Sequence, residues 1–130
     1  MSETTGSETT DGMSYAEPDD LRAVRVFVTE RARALGLSEN RIDVLTLAVS
    51  ELTTNTLQHT AGGGHIRVWA EDGRLVCDVV DGGEERPFGR AMPAAEALRG
   101  RGLAIVERIC DAVFTAAVPG GTLVRICLDF

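Results

Sequence analysis

The segment that most constrains the fold of this chain is residues 38–60, which reads as one helix with apolar residues around much of its circumference. Ser38 is a good N-cap residue and Glu39 suits the positive end of the helix dipole, while a run of glycines ends the helix. The core face is spaced at three to four residues: Ile42, Leu45, Ala48, Val49 and Leu52. Because Leu47 and Leu57 lie on other sides, we expect a central rather than a superficial helix.

The flanking segments supply a second helix and a sheet. Pro18, Asp19 and Asp20 suit a helix start, and Gly36 is the expected C-terminal cap of that helix. A third helix is predicted over 102–113, and alternating patterns predict strands over 65–71, 74–81, 114–118 and 122–130. The dipeptide Asp72-Gly73 is a type I′ hairpin signal. Since helices must cover one face of such a sheet, the sequence predicts an α/β two-layer sandwich, with a mostly antiparallel sheet of about four strands.

Two segments show no regular spacing of apolar residues. Residues 1–17 repeat SETT and are polar and acidic, so they are predicted to be a disordered tail that precedes a single domain over 18–130. The loop of about 83–101 holds several Gly and Pro residues, with a short helical possibility over 94–98. A loop of this length in a small domain is more often functional than filler.

Charge and cysteine content exclude several classes of protein. The chain has 20 acidic and 13 basic residues, a formal net charge of −7, which disfavours binding to the nucleic acid backbone or to an anionic membrane surface. No apolar run approaches the roughly 20 residues that span a bilayer. Cys77, Cys110 and Cys127 lie in apolar segments without a CxxC pair, so buried thiols in a reducing, cytoplasmic setting are expected.

Polar residues form a column on the central helix. Glu51, Asn55 and His59 are four residues apart, so each lies about one turn beyond the last on one face. The column is either a solvated strip or the wall of a cleft. In a cleft, the Asn55 oxygen could bind a hard cation such as Mg²⁺, and Glu51 could act as a general base.

Two further clusters carry weaker signals. Asp81 is followed by Gly82 and Gly83 where a strand enters a loop, which is either a turn or a contact to an exocyclic amine such as that of adenine. Residues 100–103, Gly-Arg-Gly-Leu, lie at the start of the third helix and are either a flexible helix entry or a phosphate site formed by backbone N–H groups and Arg101.

The three clusters in this order resemble the GHKL ATPase superfamily, named for gyrase, Hsp90, histidine kinases and MutL. The motif LAVSELTTNTLQHT is similar to the corresponding motif of the bacterial anti-sigma-factor serine/threonine kinases of the RsbW and SpoIIAB type. The resemblance covers about residues 19–130. It implies the Bergerat ATP-binding fold, with ATP and Mg²⁺ as cofactors and the loop of about 83–101 as the ATP lid.

The resemblance also implies a role for each matching residue. Glu51 matches the general base, Asn55 the Mg²⁺-binding asparagine and His59 the end of the same motif in the nucleotide pocket. Asp81 matches the aspartate that accepts a hydrogen bond from the adenine amine, with Gly83 as its accompanying glycine. The resemblance also covers the segment that hinges the lid and presents backbone to the phosphates, which here is Gly100, Arg101, Gly102 and Leu103. Thr122, at the start of the last strand, matches a threonine near the adenine.

The function implied is that of a protein serine/threonine kinase. Such a protein phosphorylates a STAS-type anti-anti-sigma protein, sequesters a sigma factor and forms a homodimer. Glu84 and Glu85 depart from the family pattern and place negative charge near a polyphosphate. They favour an alternative, an ATP-binding regulator that acts by stoichiometric partner binding without catalysis. A third hypothesis is a metal site formed by Glu51, His59 and His65.

Overall fold

A computed structural model describes residues 12–59, 63–81, 104–119 and 121–130, which form five strands and three helices. In chain order these are β1 Gly12–Tyr15, α1 Asp20–Leu35, α2 Glu39–His59, β2 Gly64–Glu71, β3 Arg74–Asp81, α3 Ala104–Ile109, β4 Ala112–Val118 and β5 Gly121–Asp129. The strands form one sheet in the order β1-β2-β3-β5-β4, and every neighbouring pair is antiparallel. The predicted α/β sandwich with helices on one face is confirmed, with five strands instead of about four.

The ends of the first two helices follow the local chemistry of their caps. Gly36 adopts a φ of 98° after α1, and its N–H donates to the carbonyl of Arg33 at 3.1 Å. The Ser38 hydroxyl accepts a hydrogen bond from the Arg41 N–H at 3.4 Å at the start of α2. Both predicted caps are therefore confirmed.

A two-residue turn joins β2 to β3. Asp72 and Gly73 have φ angles of 53° and 82°, which are the positive values that a type I′ turn requires at both central positions. The register that follows pairs Ile66 with Val79 and Val68 with Cys77. Alternate residues of each strand therefore face the helices.

The core lies between this face of the sheet and the helices. Val24 and Val28 of α1 pack there with Leu45 and Leu52 of α2, and all four are fully buried. Complete burial of such a side chain stabilises the fold by about 1.5–3 kcal/mol. Cys77, Cys110 and Cys127 are buried free thiols, as predicted. Burial raises the pKa of the Cys110 thiol to about 11 and that of Cys77 well above its ordinary value.

The structure corrects the predicted tail. Residues 12–15 form β1 at the edge of the sheet, with Met13 opposite Ile66 and Tyr15 opposite Gly64. Tyr15 is 2% exposed, so the predicted disorder of residues 1–17 was wrong for the part that forms β1. The strand has only four residues, and its partner β2 lies some fifty residues further along the chain. No local sequence pattern therefore predicts it. The rest of the predicted tail, residues 1–11, lies outside the described residues.

The third helix is also shorter than predicted. It ends at Ile109 instead of residue 113, because β4 begins at Ala112 and the Asp111 N–H donates to the Cys127 carbonyl of β5. The predicted lid over about 83–101 and the short helix over 94–98 lie outside the described residues. Within the described ranges, no helix combines the length and the apolarity needed to cross a membrane.

Candidate functional site

The polar residues of α2 occupy its C-terminal half. Glu51 is half-buried there, and Asn55 is 6% exposed one turn later. Thr53 and Thr56 are also buried, but their hydroxyls donate to the carbonyls of Val49 and Leu52 at 2.8 and 3.0 Å. The threonine hydroxyls are therefore satisfied within the helix, whereas the amide of Asn55 depends on groups outside it.

The Asn55 amide has a buried end without a partner. Its Nδ2 atom makes no hydrogen bond within the described part of the chain. An unsatisfied buried polar group costs about 1–3 kcal/mol, so such an atom is normally a place where a further partner binds. Rotation of an amide by 180° exchanges its nitrogen and oxygen, so this end can also present an oxygen, the ligand type that Mg²⁺ prefers. The residue therefore fits the predicted magnesium ligand.

Asp81 lies at the end of β3 with its side chain on the helix face of the sheet. It is 6% exposed and lies opposite Gly64 of β2. A Cβ atom on Gly121 would lie 1.8 Å from the Asp81 carbonyl oxygen, so this close approach of β5 requires glycine. The register that pairs Val80 with Leu123 continues to bring Thr122, also 6% exposed, across from Asp81. The predicted contacts Asp81 and Thr122 thus lie on adjacent strands.

Tyr15 connects these strands to α2. Burial raises the pKa of the Tyr15 phenol to about 12, while the adjacent Thr56 hydroxyl lowers it and the Asp81 carboxylate raises it. The phenol is therefore close to both the polar end of α2 and the end of β3. Sequence analysis missed this residue because it lies in the segment that was predicted to be a tail.

The structure thus brings together the C-terminal half of α2 and the end of β3, two of the three segments that the sequence predicts to form one site. The side chain of His59, at the last position of α2, lies outside the described residues. So do five other predicted contacts: Gly83, Gly100, Arg101, Gly102 and Leu103.

The hypothesis of a metal site with His65 is not supported. His65 alternates with the buried Ile66 and lies on the open face of the sheet, where its Nδ1 is 3.4 Å from the Ser14 hydroxyl. The side chain therefore points away from α2 and Glu51. Among the residues that the structure describes, no group of three or more His, Cys, Asp or Glu side chains is arranged to hold a metal ion.

A second cleft, of about 380 Å³, lies on the open face and has a different character. Its Arg125 makes a bidentate ion pair with Asp78, at 2.7 and 2.9 Å, and its Arg74 pairs with Asp129 at 3.1 Å. Trp69 stacks near Arg125, with 5.4 Å from the guanidinium carbon to the ring centroid. Because its arginines already have partners, this cleft is a weaker candidate than the end of the sandwich at Asp81.

A protein-family model matches most of the chain. Residues 15–128 match the model of the histidine kinase-like ATPase domain, a range that starts at Tyr15 of β1. No curated protein matches the sequence significantly.

The fold is similar to three solved structures. A crystal structure of the RsbU and RsbW domains of a Mycobacterium tuberculosis protein superposes with a TM-score of 0.68 at 18% identity, over 91% of this chain and 32% of that one. This chain therefore spans about a third of that protein's length. Two nucleotide-free structures of the catalytic domain of histidine kinase ThkA have TM-scores of 0.49 and 0.45. Their identities are 17% and 15%, with 92% of this chain covered in each case and 97% and 96% of the ThkA domain.

Proposed function

We propose, on the premise that this chain belongs to the histidine kinase-like ATPase domain family, that it is an ATP- and Mg²⁺-dependent serine/threonine kinase that regulates a sigma factor. The observation that supports the proposal most directly is the buried polar cluster at one end of the sandwich. Asn55, Asp81 and Thr122 are each 6% exposed, and the Asn55 amide lacks a partner within the described residues. A buried polar atom without a partner, such as the Asn55 Nδ2 atom, needs an explanation, and a bound ligand can supply the partner.

The proposed roles follow from the chemistry of each side chain. Asp81 accepts a hydrogen bond from the exocyclic amine of adenine, and Thr122 lies beside it on β5. Asn55 offers its amide oxygen to Mg²⁺. When bound, the metal ion neutralises charge on the phosphates.

Glu51 is the proposed general base. It is half-buried on α2, one turn before Asn55, so both side chains lie on the same face of the helix. From there its carboxylate takes the proton of the substrate serine hydroxyl, while the rest of the site positions the phosphates.

The proposed partners come from the resemblance of the α2 motif to the anti-sigma-factor kinases. We propose that the substrate is a serine on a STAS-type anti-anti-sigma protein and that the same chain, as a homodimer, sequesters a sigma factor. Phosphorylation of the antagonist then preserves the inhibition of the sigma factor. The similarity in fold to a structure that contains an RsbW domain supports this choice among the functions of the family.

Substitution of Glu51 tests the proposed chemistry. Calorimetry measures MgATP binding, and transfer of labelled phosphate to a STAS-type protein measures catalysis. We expect Glu51→Gln to bind MgATP within about threefold of wild type and to transfer phosphate about 10²- to 10⁴-fold more slowly, since a general base contributes that much. Asp43→Asn, an exposed acid at the other end of α2, is the matched control and is expected to transfer normally. Transfer by Glu51→Gln at the wild-type rate would show that Glu51 is not the base.

The same assay separates the alternative function. Glu84 and Glu85 depart from the family pattern within the predicted lid, and two added acids there would suit a regulator without catalytic activity. Tight MgATP binding by wild type, without transfer to any STAS-type protein that the chain binds, would favour this stoichiometric regulator over the kinase.

A further inference from the structure

The single tyrosine of the chain is buried at the proposed nucleotide site. Tyr15 is 2% exposed, and its hydroxyl has no hydrogen-bond partner of acceptable geometry in the described part of the chain. The neighbouring Thr56 hydroxyl, which donates to the Leu52 carbonyl, lowers the pKa of the phenol. A buried phenol usually finds a partner, so this hydroxyl needs a physical explanation.

Two glycines leave the space that this side chain occupies. Gly63 lies just before β2, and Gly64 is the first residue of β2. A Cβ atom on Gly64 would lie 2.7 Å from the Tyr15 hydroxyl and 2.2 Å from the Val80 carbonyl oxygen. A Cβ atom on Gly63, which has a φ of 79°, would lie 2.2 Å from the Tyr15 carbonyl oxygen. The backbone is thus built so that β1 approaches closely and the phenol reaches across β2 toward β3.

The phenol extends toward the end of β3, where Asp81 lies. Tyr15, Gly64 and Asp81 form one row across three adjacent strands, and all three point to the helix face. With glycine in the middle of the row, no side chain separates the phenol from the carboxylate. The Asp81 carboxylate accordingly raises the pKa of the phenol, in addition to the larger effect of burial.

We propose that Tyr15 is a positioning residue for nucleobase recognition: its hydroxyl donates to the Asp81 carboxylate when an amino-purine binds. This inference rests on the proposed nucleotide-binding function and specifies which groups select the base. The phenol orients the carboxylate, which accepts a hydrogen bond from the exocyclic amine as well. The edge strand β1 is then part of the binding site as well as part of the sheet.

A spectroscopic test uses the fact that the chain has one tyrosine. Protein labelled with ¹³C at the tyrosine Cζ atom gives one side-chain signal, which is assigned without mutagenesis. We expect MgATP to shift this signal and magnesium tripolyphosphate, which lacks the base, to leave it unchanged. An equal shift with both ligands, or no shift with MgATP at saturation, would overturn the proposed position at the base end of the site.

Removal of the hydroxyl provides a thermodynamic test. Tyr15→Phe keeps the ring and the backbone pairing of β1, so we expect its melting temperature to stay within a few degrees of wild type. We expect its Kd for MgATP to rise about tenfold or more, as for loss of a hydrogen bond to a charged group. In an Asp81→Asn background the same substitution should raise the Kd less than twofold, because the carboxylate that it positions is absent.

The matched control removes a hydroxyl from the neighbouring residue of the same strand. Ser14 is exposed and lies on the open face of the sheet, so Ser14→Ala should leave the Kd for MgATP unchanged. Wild-type affinity in Tyr15→Phe, with wild type binding MgATP normally, would refute the role of Tyr15 alone. Failure of the folded wild-type protein to bind MgATP at all would refute the proposed function and this inference with it.

Discussion

Alkaline solution provides a direct test of how Tyr15 is buried. The phenol loses its proton at a pH of about 10 in an unfolded chain, whereas burial raises its pKa to about 12 in the folded protein. Between these values the unfolded state releases a proton that the folded state keeps. The contribution of Tyr15 to the free energy of unfolding is therefore complete below pH 10 and is lost as the pH rises through 12.

The expected size of this effect follows from the difference in pKa. Two pKa units, each worth about 1.36 kcal/mol, give a full loss of about 2.7 kcal/mol above pH 12, of which about 2.3 kcal/mol is lost at pH 12, where the folded phenol is half ionised. No lysine titrates between pH 10 and pH 12, because all 13 basic residues are arginine. Burial of Cys77 and Cys110 raises their pKa values too, so wild type loses further stability over an overlapping range. The contribution of Tyr15 must therefore be measured as a difference between variants.

The assay is urea unfolding at a series of pH values from 8 to 12, monitored by fluorescence of Trp69, the only tryptophan. Tyr15→Phe is the comparison, because it keeps the buried ring and has no group to ionise. We expect the stability of wild type relative to this variant to fall by about 2.3 kcal/mol between pH 8 and pH 12. A difference that stays constant from pH 8 to 12 would show that the phenol is not buried as described.

Four further substitutions test the site and the sheet. Asp81→Asn should weaken binding of adenine nucleotides more than that of guanine nucleotides in calorimetry, and equal losses would contradict the proposed contact. Asn55→Ala should leave thermal stability nearly unchanged, because its Nδ2 atom lacks a partner in the described structure, but should abolish the Mg²⁺-dependent part of nucleotide binding. Gly121→Ala should lower the free energy of unfolding by about 1–3 kcal/mol in urea titrations, since its Cβ atom would lie 1.8 Å from a carbonyl oxygen. A double-mutant cycle on Arg125 and Asp78 should give a coupling of about 1 kcal/mol that falls with added salt, because Arg125 is 42% exposed.

The elements that could be predicted from the sequence are those whose signals are local. The caps at Gly36 and Ser38 and the turn at Asp72 depend on the conformation and side chain of a few consecutive residues. The length of α2 depends on its own periodicity, which continues for 21 residues. These features were predicted correctly because no distant part of the chain is needed to produce them.

The elements that were missed depend on partners far away in the sequence. β1 is a strand because it pairs with β2, and its four residues include a glycine and a serine, which have little strand preference of their own. The end of α3 at Ile109 is fixed by the pairing of β4 with β5, which overrides a helical pattern that continues to residue 113. The candidate site shows the same division. Asn55 was singled out by its spacing on α2 and Asp81 by the glycines that follow it, whereas the position of Tyr15 depends on the missing side chain of Gly64.

The position of Tyr15 links the stability of the fold to the proposed binding site. Its backbone completes the edge of the sheet, its ring belongs to the core, and its hydroxyl is one of two buried polar groups without a partner among the described residues. The other is the Nδ2 atom of Asn55, which precedes Thr56, the α2 residue whose hydroxyl affects the Tyr15 phenol. Each group lowers stability in the absence of a ligand and can be satisfied by one, so part of the cost is recovered only on binding. Nucleotide should therefore raise the melting temperature of wild type more than that of Tyr15→Phe, because the variant has one fewer buried group for binding to satisfy.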